Sequence, residues 1–370
     1  MTKLVPKLWW SQIQSVIRLE LKKTFFAKRG LWVYALALLP FLLFVAHAVG
    51  NSHQRAQSAR LARRNEKPLT YQDLRAIKMG MTSEDVVAMI GKPPIRFHWN
   101  EQRPLAQGGS VKVAHESYHY SDGTNNLYLE LEDGKVERVN VLEGNNIGED
   151  SMMFAGVFQF FFIRLAVFFG CLGIFMNLFR GEILDRSLHF YFLAPIRREV
   201  LMVGKFLAGL LATCVIFVTS ELLQIVAFTW HFSPNARDLY LYHNHGLAHA
   251  AAYLGVTALA CLGYGAFFLA AGMLFRNPIL PAAAILIWEA LNPFLPPLLK
   301  QFSVIYYLKS LCPVNVPAPP GTPPLLAMLV SNPDPVSAVV AVMGIVTVTV
   351  LALYASSLRI RHMEINYATE

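Results

Sequence analysis

Residues 180–205 read RGEILDRSLHFYFLAPIRREVLMVGK, a run where acids, bases and aromatics crowd between two long apolar segments. Glu182, Asp185 and Arg186 stand among Ile183, Leu184, Leu188, Tyr191 and Phe192, so the pattern predicts a short amphipathic helix. Pro195 breaks it, and Arg197 and Arg198 anchor the next helix at headgroup level. A short rigid helix on a loop between spans can receive a push from a soluble partner. An ordinary interfacial connector would be equally amphipathic, and the residues leave both readings open. Covalent chemistry has little support, because no nucleophile–base pair or paired carboxylates recur at helical spacing near one depth. Gly91-Lys92, Gly134-Lys135 and Gly204-Lys205 each lack the upstream glycine and following hydroxyl of a phosphate loop. The chain is therefore expected not to be an enzyme by itself and to have no catalytic residues.

Three charges fall inside apolar segments: Arg164, Glu221 and Glu289. A charge at mid-bilayer costs about 2.5–3.5 kcal/mol on insertion scales, so each must face protein, water or a partner. They either line a translocation route or a dimer contact, or form an internal ion pair that fixes the bundle. Arg164 with Glu289 is the preferred pair. His243 and His245 in one loop have no clear third ligand, and His115 and His119, four apart on a strand, are poorly spaced for a shared metal. Cys171, Cys214 and Cys261 lie in apolar segments and Cys312 in a Pro-rich stretch, without CxxC or Cys/His spacing. No metal site and no structural disulfide are expected.

The elements that hold these residues follow from composition. The 370 residues are 55% hydrophobic and 15% charged, with a formal net charge of +8 and a mean hydropathy of +0.41. Soluble chains average about 25% charged residues. The bases flank apolar segments, which speaks for loop retention at a membrane rather than for nucleic acid. Six segments are long enough to cross about 30 Å of hydrocarbon: 31–49, 153–178, 202–230, 247–275, 279–299 and 336–357. Pro293, Pro296 and Pro297 make the fifth ambiguous. The first ends without a small-x-small cleavage site and reads as a retained anchor. Bases cluster before the first span, between the second and third, and after the sixth, whereas the opposite short loops hold only Arg237, Lys300 and Lys309. Both termini are thus expected in the cytoplasm of a multi-pass bacterial inner-membrane protein.

Before the first span, Trp10, Ile13, Ile17, Leu21 and Phe25 repeat at helical spacing with Arg18, Lys22 and Lys23 elsewhere on the wheel. This predicts an amphipathic helix, either in the cytoplasmic interface or packed on a partner. Residues 51–67 are expected to continue the first helix beyond the membrane. The fold class is an α-helical membrane protein with six transmembrane helices, an N-terminal interfacial helix and a small extracytoplasmic α+β domain between helices 1 and 2. That domain, 50–150, contains GMTSEDVVAMIGKPP at 80–94, where Thr82 or Ser83 caps a helix presenting Val86, Val87 and Ile90, and Gly91 ends it. Residues 116–141 alternate apolar and polar around an Asp133-Gly134 turn, as in a two-stranded hairpin.

Gly80, Met81, Thr82, Val86, Gly91, Pro93, Tyr118, Tyr120, Gly134, Lys135 and Val136 follow the pattern of the SmpA/BamE lipoprotein domain, which this stretch resembles without its lipidated cysteine. That resemblance implies a binding or scaffolding role and an envelope partner for residues 70–142. In the charged loop, Glu182, Ser187, Leu188, Leu193, Pro195, Arg197 or Arg198, Gly204 and Lys205 stand in the order of the type-2 ABC exporter permease family. The chain resembles that family over most of its length, although Asp185-Arg186 replaces the commoner Gly and its neighbour. The resemblance implies a Pro-rich outer hairpin at 293–335, a paired second permease, identical or not, and cytoplasmic ABC ATPase subunits docked on residues 182–198. ATP and Mg would be bound by those subunits and not by this chain. Membrane lipid is the remaining expected partner. The functional expectation is an exporter permease; the alternative is a non-transporting scaffold or mechanical-signalling subunit that presents the inserted domain.

Overall fold

The computed structural model describes residues 6–26, 30–104, 110–144, 146–184, 191, 193, 196–275, 279–317, 321–323 and 335–361. The chain divides into two compact units, one of Met1–Val45 with Asp150–Glu370, the other of Ala46–Glu149. Among the described residues five helices are long and apolar enough to cross a membrane, which marks a multi-pass membrane protein. In hydrocarbon only internally hydrogen-bonded backbone is tolerated, so apolar runs of this length must be helical.

The first unit begins with α1 (Pro6–Phe26) and the start of α2 (Leu31–Ala62). The second span is one rod of three parts: α5 (Ile147–Val157), a π-helical stretch Phe158–Val167 and α6 (Phe168–Leu184). Then come α7 (Arg198–Trp230) and α8 (Gly246–Leu274). Their core is aromatic: Phe154 and Phe158 meet Tyr253, and Phe168 meets Tyr264 and Phe268. Phe175 is held between glycines of two helices. A Cβ at Gly209 of α7 or Gly265 of α8 would fall 2.7 or 2.5 Å from its ring, so only glycine permits this approach. α1 buries Val16 and Glu20 while Trp10 and Leu19 stay exposed. Of the apolar stripe, Ile13, Ile17, Leu21 and Phe25 are half-buried beside that face, and Trp10 alone is exposed.

Residues 279–299 do not form a continuous span. α9 (Ile279–Leu291) has 13 residues, about 20 Å of helix. A 3₁₀ turn at Asn292–Phe294 and a helix of one turn at Pro297–Lys300 separate it from α10 (Val304–Leu311). Pro293, Pro296 and Pro297 remove the donors that a continuous helix would need. α11 (Ala338–Arg361) closes the unit. Its C-terminal end meets the start of α7, where Arg361 Nε lies 2.8 Å from Glu199 Oε1. Since α7 and α8 are antiparallel, α8 and α11 run the same way, and α9 and α10 lie on the return path between them. α10 packs beside α8 and α11, with Val304 and Ile345 both against Gly263.

In the second unit α3 (Tyr71–Ala76) and α4 (Ser83–Ile90) pack on an antiparallel sheet of order β1-β2-β3-β4. The strands are Ile95–Pro104, Ser110–Ser121, Asn126–Glu132 and Lys135–Leu142. Thr82 caps α4 through a reciprocal pair with Asp85, as Thr70 caps α3 with Asp73. Gly91 terminates α4 at φ +85°, and Asp133 and Gly134, both left-handed, form the β3–β4 turn. Leu74, Val86, Ile90, Tyr118, Tyr120, Leu127, Leu129 and Leu131 form the core. We expect Leu129→Ala to cost about 2–5 kcal/mol and Thr82→Ala about 1 kcal/mol. Hydrogen exchange of β3 and β4 amides in the full chain reads both losses; equal losses would contradict this division between core and cap.

Candidate functional site

Lys205 of α7 is fully buried, and its ammonium has three N–H groups to satisfy. They reach Glu20 Oε1 of α1 at 2.8 Å, the carbonyl of Leu178 in α6 at 2.9 Å and Glu182 Oε2 at 2.8 Å, the last an ion pair rather than an aligned hydrogen bond. Glu182 Oε1 accepts from Lys23 Nζ at 3.0 Å. Lys23 also donates to the Tyr191 hydroxyl at 2.8 Å, which in turn donates to Glu20 Oε1 at 3.1 Å. The five side chains close a ring, Lys205–Glu20–Tyr191–Lys23–Glu182, across α1, α6, the 185–197 connection and α7. Its two ammonium and two carboxylate groups balance, which is what permits charge at this depth.

Close backbone approach makes the ring possible. A Cβ on Gly204 would lie 2.9 Å from Val16 Cγ1, so glycine lets α1 settle on α7 with Glu20 facing Lys205. Burial opposes charge on Lys23, but hydrogen bonds to Tyr191 and Glu182 and the field of Glu20 and Glu182 outweigh it, holding the ammonium well above the usual lysine range. Burial pushes the Tyr191 phenol up as well, helped by Glu20 and Glu182. Beside the ring opens a cavity of about 460 Å³ with Trp32, Ile174 and Ile216 on its apolar walls and Asn177 at its polar end.

Of the loop residues singled out from the sequence, Glu182 and Lys205 are brought together here. Arg198 is placed differently: its guanidinium donates to the carbonyls of Ile360 and Arg361 at 3.3 and 3.0 Å, at the end of α11. Arg197 lies over the Trp9 ring, and Leu193 is 79% exposed. Asp185, Arg186, Ser187, Leu188 and Pro195 lie outside the described residues. Glu20, Lys23 and Tyr191 were not anticipated. Glu20 carried a signal, as the only acid before Glu66, placed one turn after Val16. No protein-family model and no curated protein matches the chain.

The charges inside the spans do not form the expected ion pair. Glu289 instead accepts from Ser303 Oγ at 2.8 Å and from the backbone N–H groups of Val304 and Ile305 at 2.9 and 2.8 Å. It caps α10 across the break, where the first N–H groups of the helix would otherwise be orphaned in an apolar interior. Arg164, in the π-helical stretch, is within electrostatic reach of Glu289. Its Nε and Nη2 find no hydrogen-bond partner among the described residues. Glu221 is fully buried, and neither carboxylate oxygen has a hydrogen-bond partner among the described residues.

Lys205→Ala leaves Glu20 and Glu182 facing each other and should cost about 3–5 kcal/mol in detergent unfolding, partly regained with Glu20→Gln. Because Lys23 and Tyr191 are raised from ordinary values of 10.5 and 10.0, their contribution is complete below pH 10 and declines as pH rises further. A ring that opened on acidification from pH 9 to 7 would contradict this. At the break, Glu289→Ala should cost at least about 2 kcal/mol by orphaning buried donors. Glu221→Met should be neutral or stabilising. Equal losses in the same unfolding assay would refute the capping role.

Proposed function

We propose that this chain is the permease subunit of an ATP-driven exporter, moving its substrate outward across a bacterial inner membrane with a separate ATPase. The observation that carries the reading is the five-membered ring. It ties Tyr191 of the charged connection to α1 through Glu20 and Lys23, and those residues to α6 and α7 through Glu182 and Lys205. A displacement of that connection would break or drag contacts on three helices at once. Differential contact of this kind is what a conformational machine requires.

The bases that gather at the ring end of the first unit, at the start of α7 and the end of α11, support a cytoplasmic location for that end and for both termini. The parallel course of α8 and α11 supports a sixth crossing made in two pieces, α9 and α10, with Glu289 closing the gap. A second permease copy or homologue completes the assembly. The loop 182–198 receives the ATPase, which holds ATP and Mg.

A scaffold presenting the inserted domain is the second reading, favoured by Phe97 and Trp99, exposed by 57% and 45% on one sheet face. Co-purification from native membranes, followed by reconstitution in vesicles, tests both. We expect a phosphate-loop ATPase to co-purify and ATP to drive substrate movement. Glu182→Arg should keep the ATPase bound but cut coupled movement at least about tenfold. A native assembly without a nucleotide-hydrolysing subunit would overturn the permease reading. A bound, active ATPase with no movement of any native lipid or solute would select the scaffold.

A further inference from the structure

The sheet of the second unit has two unlike faces. One packs on α3 and α4, while the other carries Phe97 and Trp99 of β1 and His115, Ser117 and His119 of β2. On that open face three potential metal donors converge from three strands, and a fourth strand brings a carboxylate to one of them. His115 stands opposite Glu132 of β3 in the strand register. The side-chain donors of His115, Glu132 and Glu137 all lie within 4.8 Å of one another. Glu101 of β1 places Oε2 3.1 Å from His115 Nε2.

Glu137 reaches this face through an irregularity. The β3–β4 register shifts between Glu130 and Leu131, pairing Glu130 with Arg138 but Leu131 with Val136. Val136 and Val139 both turn to the core, and Arg138 turns outward to Glu130 at 3.1 Å. The extra residue is Glu137. Bulges of this kind re-aim a side chain and concentrate at functional sites. The His115 imidazole is only 11% exposed and stacks on Trp99, ring centroids 5.4 Å apart and planes 10° apart. Its orientation is thereby fixed before any ligand arrives. An imidazole with carboxylates around it is a donor set that a divalent cation takes.

We propose that His115, Glu132 and Glu137, with Glu101 as a fourth donor, form a binding site for a divalent transition-metal ion of the zinc class. Imidazole with carboxylates suits zinc, whose bonds to them are about 2.0–2.2 Å long. Tetrahedral bonds of that length separate ligand atoms by about 3.3 Å, close to the His115–Glu101 spacing. The site lies in the second unit and owes nothing to the exporter reading.

The test uses the full chain in detergent, without a histidine tag, titrated with Zn²⁺ by calorimetry and with Co²⁺ by visible absorption. The wild type should bind with a saturable Co²⁺ spectrum. His115→Ala should remove one equivalent, and Glu137→Gln, an exposed change that spares the core, should weaken the same equivalent at least about tenfold. His119→Ala, on the same face but outside the donor set, should bind as the wild type does. Hydrogen exchange of the β3 amides reports that each variant remains folded. Absence of saturable binding, or binding unchanged in both His115→Ala and Glu137→Gln, overturns the proposal.

Discussion

A lysine ammonium inside a helix bundle has to be answered by every element around it, and Lys205 sets those terms for the first unit. Leaving such a group unpaired would cost several kcal/mol, and a single carboxylate would satisfy one N–H of three. Here Glu20 on α1 and the Leu178 carbonyl of α6 accept hydrogen bonds, and Glu182 of α6 adds an ion pair. Three helices are consequently fixed in register by one side chain. The second carboxylate then needs a second base, which Lys23 supplies, and Tyr191 bridges the two halves. Removing any member leaves a buried charge or hydroxyl with fewer partners, so the group behaves as a unit.

The same accounting explains the irregular backbone elsewhere. Arg164 sits in a π-helical stretch, and Glu289 lies where α9 gives way to a turn. A broken helix frees N–H groups that lipid cannot satisfy, and the carboxylate of Glu289 takes two of them. In water such a cap is worth about 1 kcal/mol; in an apolar interior the orphaned donors would cost more. The charge is thus accounted for by a discontinuity in the fold, without invoking an ion pair.

Much of the fold was legible because it rests on local rules. Apolar length placed the first four spans and the last helix close to where they stand. Thr82, Gly91 and Asp133-Gly134 acted as cap, stop and turn through backbone chemistry that does not depend on tertiary context. The fifth segment departed because hydropathy counts side chains, while Pro293, Pro296 and Pro297 act on the hydrogen-bond ladder. Strand β1 was not anticipated: IRFHWNEQRP faces the exposed side with Phe97 and Trp99, so its alternation does not separate apolar from polar. The ring was half legible. Glu182 and Lys205 lie near each other in the chain, but Glu20 reaches Lys205 across 185 positions. No spacing rule spans that distance, and only the approach of α1 at Gly204 brings the two together.

The inserted domain shows why period-two reading fails for ligands as well. His115 and His119 share a strand, and their separation discourages a common metal. The neighbours that matter lie across strands, and one arrives only because a register shift reverses the alternation between Val136 and Arg138. The core on the helix-covered face is complete without them, since Leu127, Leu129 and Leu131 are fully buried whatever the open face carries. The core is therefore built on one face of the sheet, and the proposed metal donors stand on the other. The open face is held by lighter contacts, cross-strand pairs such as Trp99 on His115 and His119 on Tyr128, each worth about 0.2–1 kcal/mol.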